Sequence, residues 1–289
     1  INLRSIISVD PYFSFSFSLI YFRYLFYALG IAFIFNYFPK AYVQFGKIIF
    51  ITVLVVSLDG LLQYFNETNI LGMRSSNPFR LSGFFGDELI LGSYISKFIP
   101  IIIAIGFTEI KKNKKHLSLL LILICIMQLV VFLSGERVAF FNVILFNFLI
   151  LLLFFKIHKF IIALSIILSS LFIIFILFFG ENFSKFPIKD RMIVQTLEQI
   201  SSNKVPYMPY SPHHEAHYIS ALKMFKDQPI IGKGPNLFRK LCSIEKYSFQ
   251  NSCSTHPHNF YIQLLAETGL IGFLFLFISF FIISKKIFL

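Results

Sequence analysis

The sequence predicts an all-α polytopic membrane protein with about seven transmembrane helices and one large extracytoplasmic loop, and three observations support this fold class. The chain is 56% hydrophobic and only 14% charged, with a mean hydropathy of +0.75, whereas an average soluble domain carries about 25% charged residues. Seven apolar stretches have roughly the length that crosses a bilayer as a helix. One polar region, residues 181–258, separates the last two stretches.

The apolar stretches divide the chain into three predicted parts. Residues 1–180 hold six transmembrane helices with short loops, residues 181–258 form the extracytoplasmic (periplasmic) loop, and residues 259–289 hold the seventh helix. The predicted spans are roughly 17–38, 48–65, 89–108, 117–133, 138–155, 160–180 and 260–283. Because the chain has no initial Met and ends just after a span, we expect it to be an internal piece of a larger protein.

Lysines occupy every second connection between the spans and predict the orientation. They are Lys40, Lys47, Lys111, Lys112, Lys114, Lys115, Lys156, Lys159, Lys285 and Lys286. Positively charged short loops stay in the cytoplasm, so the 66–88 loop, the Ser134–Arg137 turn and the 181–258 region are assigned to the outer side. The formal net charge of +12 reflects these orientation signals in part. Nucleic acid is therefore not expected as a partner.

The arginines are distributed differently from the lysines. All seven lie on or near the outer side: Arg4, Arg23, Arg74, Arg80, Arg137, Arg191 and Arg239. Orientation requires only positive charge, whereas a guanidinium offers the planar fork that suits phosphate or carboxylate oxygens. Arg137 directly follows Glu136 in a turn so short that it must lie at the membrane edge. For the other arginines, an ordinary solvated loop remains the alternative.

Residues 213–227 have the spacing of an amphipathic helix that ends before Pro229. Tyr218, Ala221, Leu222 and Phe225 form one apolar stripe, which predicts a helix lying along the bilayer surface. His214 and His217 share another face. The segment is one residue short of the H-E-x-x-H pattern of zinc proteases and offers no obvious third ligand. We therefore predict no metal site.

Cys242 and Cys253 both lie in the outer region, whereas Cys125 falls in a span. An extracytoplasmic compartment permits disulfide bonds. We therefore predict a Cys242–Cys253 disulfide.

The run from His256 to Gly272 begins the last span. Asn259 can cap the helix through a local hydrogen bond, and Glu267 is an ionisable residue about two turns into the span. A histidine has the ordinary pKa of a general base at neutral pH, so His258, beside His256, is the candidate base. The alternative is that these histidines only cap the helix and meet lipid headgroups.

Four stretches together resemble the O-antigen ligase and O-antigen polymerase superfamily of bacterial polysaccharide assembly. They are R-x-x-G-x-F from Arg80, Ser-Gly-Glu-Arg at 134–137, the segment from His213 to Phe238 with its run A-L-K-M-F-K-D-Q-P-I-I-G-K-G-P-N-L-F, and H-P-H-N-F-Y-I-Q-L-L-A-E-T-G-L-I-G from His256. The last two are the more specific, and the resemblance covers most of the chain.

The resemblance implies a GT-C-like glycosyltransferase in the bacterial inner membrane, with an extracytoplasmic active face and no cofactor or catalytic metal. Its donor would be an oligosaccharide on undecaprenyl pyrophosphate, and its acceptor another lipid-linked glycan or the lipid A core. The lipid bilayer and a chain-length regulator protein are the other candidate partners. Relatives carry essential arginines where Arg137 and Arg80 stand, and a histidine where His258 stands.

These implied roles give a mechanism. Arg137 and Arg80, with Arg191 or Arg239, would hold the pyrophosphate and stabilise the leaving group. His258 would deprotonate the acceptor, while Glu136 or Glu267 balances charge. Many relatives place an arginine where this chain has His214, which leaves Arg191 as the nearest substitute.

Three functional alternatives remain at the sequence level. We favour a polymerase over a ligase because polymerases are the more diverse group, although the motifs are shared. A transporter of lipid-linked oligosaccharides would place charges near mid-membrane, whereas the charges here concentrate on one side. A sensor or scaffold with an outer ligand-binding loop is the third reading.

Overall fold

The computed structural model describes residues 1–38, 40–110, 116–153, 159–180, 184–201, 212–249 and 252–288. Over these ranges the regular structure is helical, and its β-structure is a single isolated bridge between Thr68 and Arg74. The all-α fold class is therefore confirmed.

The described ranges contain twelve α-helices. They are α1 (Asn2–Ile6), α2 (Pro11–Leu19), α3 (Phe22–Tyr37), α4 (Ala41–Asn66), α5 (Leu91–Ile110), α6 (His116–Leu133), α7 (Arg137–Leu153), α8 (Lys159–Phe179), α9 (Gln195–Ser201), α10 (Pro212–Asp227), α11 (Phe238–Leu241) and α12 (Phe260–Phe288).

Within the described residues, three helical segments are long and apolar enough to cross a membrane: Pro11–Tyr37, Ala41–Asn66 and Phe260–Lys286. Four shorter apolar helices accompany them: Leu91–Gly106, Ser118–Leu133, Arg137–Leu152 and Ala163–Phe179. The chain is thus a helical membrane protein, and the count of seven spans stays a prediction. The lysines predicted to mark the cytoplasmic side at 111, 112, 114, 115 and 156 lie outside the described residues.

The chain forms two compact units. The middle unit is residues 35–198, and the terminal unit combines residues 1–34 with 199–289. The boundaries predicted at 180 and 258 follow the expected membrane topology and stay predictions.

The middle unit packs α4 to α8 around an apolar core that includes Val53, Ile95, Met127 and Val130. A Cβ on Gly46 would lie 2.5 Å from Cγ2 of Ile105, so the absence of a side chain lets α4 and α5 approach closely. Such contacts hold helices together where lipid is as apolar as the core.

The loop between α4 and α5 is fastened to α4 by polar side chains. Gln63 accepts hydrogen bonds from the N–H groups of Ser82 and Gly83 at 2.9 and 2.8 Å, and Asp59 accepts one from Ile70. Leu81 is fully buried in the middle unit's core. The loop that carries Arg80 is therefore fixed to α4 and to the core of the middle unit.

In the terminal unit, α12 is interrupted at Gly269, whose φ is 65°. The interruption exposes backbone groups that the 229–234 segment satisfies. The N–H groups of Leu270 and Ile271 donate to the carbonyls of Pro229 and Ile230, while those of Lys233 and Gly234 donate to Ala266 and Glu267. A Cβ on Gly232 would lie 2.4 Å from the Glu267 carbonyl carbon. The G-K-G run at 232–234 and the E-T-G-L-I-G run at 267–272 therefore pack against each other and share backbone hydrogen bonds.

The predicted amphipathic helix is present as α10. Tyr218 and Ala221 of its apolar stripe are buried in protein, whereas Leu222 and Phe225 are partly exposed. Ala221 and Met224 are fully buried with Phe238 and Ala266 in a second core. The position of this helix along the bilayer surface stays a prediction.

Candidate functional site

Three arginine side chains gather in the middle unit around the turn that joins α6 to α7. Arg80 lies in the loop between α4 and α5, Arg137 begins α7, and Arg191 lies in a short π-helix, Asp190–Val194. We refer to these three, together with Glu136, as the arginine cluster. All four residues were predicted as site residues, and the fold brings them together across 112 positions of sequence (191 − 80 + 1).

Glu136 joins this cluster to the start of α5. Its Oε1 accepts a hydrogen bond of 2.7 Å from the Gly92 N–H, and its Oε2 accepts bonds from the N–H and the hydroxyl of Ser93. Carboxylates are favoured at helix N-termini, where backbone N–H groups lack partners. Oε2 also lies 3.6 Å from Nη2 of Arg80. Glu136 therefore holds Arg80 against the helix.

Gly135 lies where the three chain segments converge. Its φ is 70°, and a Cβ there would lie 2.4 Å from the Phe79 carbonyl oxygen, 3.2 Å from Cγ of Arg80 and 3.3 Å from Cγ of Arg191. Nε of Arg191 donates to the Gly135 carbonyl at 3.4 Å, and its Nη1 donates to Gln195 at 3.0 Å. The cluster closes only because residue 135 has no side chain.

The electrostatics of the cluster favour an anion. Burial, followed by the charges of Arg137 and Arg80, lowers the pKa of Arg191. Burial also lowers the pKa of Arg80, and Glu136 acts in the opposite direction. Nε of Arg80 is buried without a hydrogen-bond partner, although buried donors normally have one. A phosphate or carboxylate bound at the cluster would relieve this repulsion.

Four imidazole rings meet in the terminal unit, and we call His214, His217, His256 and His258 the histidine cluster. Between ring centroids, His258 lies 4.3 Å from His256, 5.2 Å from His217 and 5.4 Å from His214. Three of these residues were predicted as site residues. His217 was not, because its spacing from the other histidines of α10 indicates only a possible metal chelate.

His258 has a constrained backbone at the centre of its cluster. Its φ is 55°, in the left-handed region that few side chains adopt. His258 is exposed as a whole residue, but partial desolvation of its imidazole, followed by the charges of His256, His214 and His217, lowers the pKa of the ring. The ring is therefore neutral at neutral pH, which is the state a general base requires.

The other predicted site residues of the terminal unit have structural contacts. Asn259 caps α12, because its side chain accepts hydrogen bonds from the N–H groups of Tyr261 and Ile262 at 3.0 and 3.1 Å. Glu267 is 6% exposed and accepts bonds from the N–H groups of Asn236 and Phe238. Arg239 lies over the Phe17 ring at 5.6 Å.

Cys242 and Cys253 form a disulfide, with their Cα atoms 5.0 Å apart. Among the described residues, no group of three or more His, Cys, Asp or Glu side chains could hold a metal ion.

An apolar cavity of about 410 Å³ lies in the middle unit between α4, α5 and α6. Lys47, Phe50, Ile102 and Leu120 are among the residues that line it. It adjoins the beginning of α4, whereas the loop that carries Arg80 follows the other end of that helix. The cavity is therefore not part of the arginine cluster.

A family model described as O-antigen ligase matches residues 119–277, which is more than half of the chain. The matched range includes Glu136, Arg137, Arg191 and the whole histidine cluster, while Arg80 precedes it. Searches of curated proteins and of solved structures each found no match.

Proposed function

Because the chain belongs to the O-antigen ligase family, we propose that it is a membrane glycosyltransferase that moves a glycan from undecaprenyl pyrophosphate to an acceptor hydroxyl. The observation that carries this proposal is the convergence of three guanidinium groups at one turn, with a buried Arg80 Nε that lacks an acceptor. A pyrophosphate offers several anionic oxygens to such donors.

In the proposed reaction the two clusters have different tasks. The acceptor oxygen forms a bond to the anomeric carbon of the donor glycan, while the bond from that carbon to the pyrophosphate oxygen breaks. The electron pair leaves with undecaprenyl pyrophosphate, whose charge the arginine cluster stabilises. The acceptor proton passes to the neutral imidazole of His258. The mechanism asks for no cofactor.

We propose positioning roles for Glu136 and Glu267, and their contacts support this. Glu136 holds Arg80 at the start of α5, and Glu267 holds the backbone at Asn236 and Phe238. Neither carboxylate is needed to carry a proton in the proposed reaction.

The topology remains part of the proposal. We place the chain in the bacterial inner membrane with seven spans of a GT-C-like arrangement and with residues 181–258 outside the cytoplasm. The Cys242–Cys253 disulfide supports this side, because such bonds persist in oxidising compartments. The bond lies between α11 and α12, and an outer position for this loop is part of the same proposal.

The acceptor distinguishes two candidate enzymes. We favour a surface-polysaccharide polymerase, in which another lipid-linked glycan supplies the hydroxyl. The description of the matching family favours an O-antigen ligase, in which the lipid A core supplies it. The clusters serve either acceptor, since both reactions release the same leaving group.

A glycan profile of the host tests the proposal. The gene is deleted and restored as wild type or as His258→Asn, and the surface polysaccharide is separated on a gel. Asn is used because it tolerates a positive φ better than Ala, so the backbone at 258 is preserved. Membrane protein levels are measured alongside.

Each outcome has one meaning. Loss of long chains, with one repeat unit still on the lipid A core, supports a polymerase. Loss of all attached polysaccharide, with long chains accumulating on the lipid carrier, supports a ligase. A normal profile from His258→Asn at normal protein levels contradicts the base assignment.

A further inference from the structure

His217 has no task in the reaction above, yet it is the most enclosed imidazole of the histidine cluster. It lies on α10 with 8% of its surface exposed, and its ring centroid is 5.2 Å from that of His258. A side chain so enclosed is poorly placed to touch a glycan. Its relevant neighbours are protein groups.

One hydrogen bond fixes the tautomer of His217. Its Nδ1 lies 2.7 Å from the carbonyl oxygen of Ser252. A carbonyl oxygen only accepts, so Nδ1 of His217 carries a proton. The same bond fixes the plane of the ring beside His258.

The Ser252 carbonyl is itself held in place. Ser252 is buried and precedes Cys253, whose disulfide partner Cys242 is fully buried among Phe238 and Tyr247. The Ser252 hydroxyl also accepts a hydrogen bond of 2.9 Å from the Phe249 N–H. The disulfide therefore anchors the residue that orients His217.

We infer that His217 is a positioning residue for His258, and that the Cys242–Cys253 disulfide acts on the reaction by holding the Ser252 carbonyl against His217. This inference rests on the proposed function, because it gives His217 a role only if His258 accepts the proton. In this arrangement α10 contributes His217 and His214 to the surroundings of His258, and His256 contributes from the turn before α12.

The arrangement predicts a specific effect on His258. Burial is the largest cause of its lowered pKa, and His217 is one of the neighbouring charges that lower it further. Without the ring of His217, the His258 imidazole is more hydrated and less repelled. Its pKa then rises toward the ordinary value and its orientation loosens.

The test uses the full-length protein in lipid nanodiscs, with a lipid-linked glycan as donor. His217→Asn keeps a side-chain N–H near the position of Nδ1 for the Ser252 carbonyl but removes the ring. Ser220→Ala is the matched control, since Ser220 is a fully buried residue of the same helix whose hydroxyl has no hydrogen-bond partner.

We expect His217→Asn to lower kcat roughly 10- to 100-fold, as the loss of an outer partner does at metal-bound histidines, with an unchanged KM for the donor. The acid limb of its pH–rate profile moves to higher pH. The Cys242→Ser/Cys253→Ser double variant moves the limb in the same direction. Ser220→Ala behaves as wild type in both measurements.

Wild-type kcat and a wild-type acid limb in His217→Asn would overturn the inference. If His217→Asn instead loses thermal stability, the pH profile of the remaining active fraction decides, because an unmoved limb means a structural role only. His258→Asn is run in parallel. Full transfer by that variant contradicts the proposed function itself, whereas its inactivity with a normal His217→Asn contradicts this inference alone.

Discussion

Oε2 of Glu136 lies 3.6 Å from Nη2 of Arg80. Because the same carboxylate accepts the N–H of Gly92, one buried charge links the Arg80 loop to the first turn of α5. The guanidinium of Arg80 also donates to the carbonyl of Leu89, just before that helix. Two contacts thus hold the Arg80 guanidinium in place, and the part of the side chain that stays exposed is available to an anion.

Two substitutions of Glu136 should separate its charge from its hydrogen bonds. Glu136→Gln keeps an oxygen for the Gly92 N–H, but it removes the counter-charge of Arg80 and the Oε2 acceptor of the Ser93 N–H. We therefore expect a kcat at least about 10-fold lower, with a smaller loss of stability than in Glu136→Ala. Glu136→Ala leaves buried donors unpaired and should also lower the free energy of unfolding by about 1–3 kcal/mol. Transfer assays and thermal unfolding of the purified variants measure the two effects. If both variants lost activity and stability to the same extent, the charge and the hydrogen bonds of Glu136 would not have these separate effects.

Gly135→Ala should disrupt the arginine cluster. The added Cβ would meet the Phe79 carbonyl oxygen at 2.4 Å, at a φ of 70° that alanine disfavours. A left-handed non-glycine residue alone costs about 1–3 kcal/mol, and the clash displaces Arg80 and Arg191. We expect a lower unfolding temperature and strongly reduced transfer.

The control for that variant is Gly30→Ala. A Cβ on Gly30 has nothing within 4 Å, and alanine is the better helix former by about 1 kcal/mol. Wild-type activity in both glycine variants would show that the cluster does not depend on the close approach at Gly135.

Arg191→Lys should retain charge but lose function. Lysine cannot reproduce the two contacts that Arg191 makes through Nε and Nη1, to Gly135 and Gln195, nor a two-point contact with an anion. We expect a kcat lower by about 10-fold or more, consistent with the loss of one charge-stabilising donor pair. Kinetic assays at saturating donor measure it.

Arg23→Lys is the matched control for the arginine exchange. The Arg23 guanidinium donates to the exposed Tyr24 hydroxyl at 2.9 Å and belongs to neither cluster. Its exchange should leave transfer unchanged. Equal loss in both arginine variants would point to a general effect on the membrane protein rather than to the arginine cluster.

Local sequence signals predicted much of this architecture. The lengths of the apolar stretches predicted the helices, and the position of Asn259 predicted the cap of α12. The shortness of the Ser134–Arg137 segment predicted a tight turn between two helices. Residue type and position on the outer side predicted Arg80, Glu136, Arg137 and Arg191 as site residues, and the resemblance to relatives with arginines at 80 and 137 added to this. Their convergence at Gly135 was not predictable, because it depends on long-range packing that residue type does not encode.

The terminal unit also has features that depend on long-range packing and could not be predicted from the sequence. Gly269 lies in an apolar run, where glycine is common in membrane helices, and its left-handed φ arises only when the 229–234 segment docks. Glu267 looked functional because it is ionisable within a span. Its partners, the N–H groups of Asn236 and Phe238, are about 30 positions away in sequence (267 − 236 = 31 and 267 − 238 = 29) and follow from that docking.

Transfer by the wild-type enzyme should persist below the ordinary histidine pKa of about 6.5. The folded protein lowers the pKa of His258, through burial and then through His256, His214 and His217, so the neutral base form survives to lower pH. Activity is therefore present above about 6.5 and is lost only as the pH falls through the lowered pKa. Over the same window the unfolded state binds more protons, so stability also declines with falling pH.

His256→Asn should shift this acid limb upward. His256 has the ring nearest to His258, 4.3 Å away between centroids, and its removal takes away one positive neighbour. The shift should be partial, because burial is the larger cause of the lowered pKa. The measurement is kcat/KM against pH for both proteins, since this ratio reports the free enzyme's groups. An acid limb above pH 6.5 in the wild type would contradict the assignment of His258 as a base that its surroundings keep neutral. An acid limb that moves to lower pH in His256→Asn would contradict it as well.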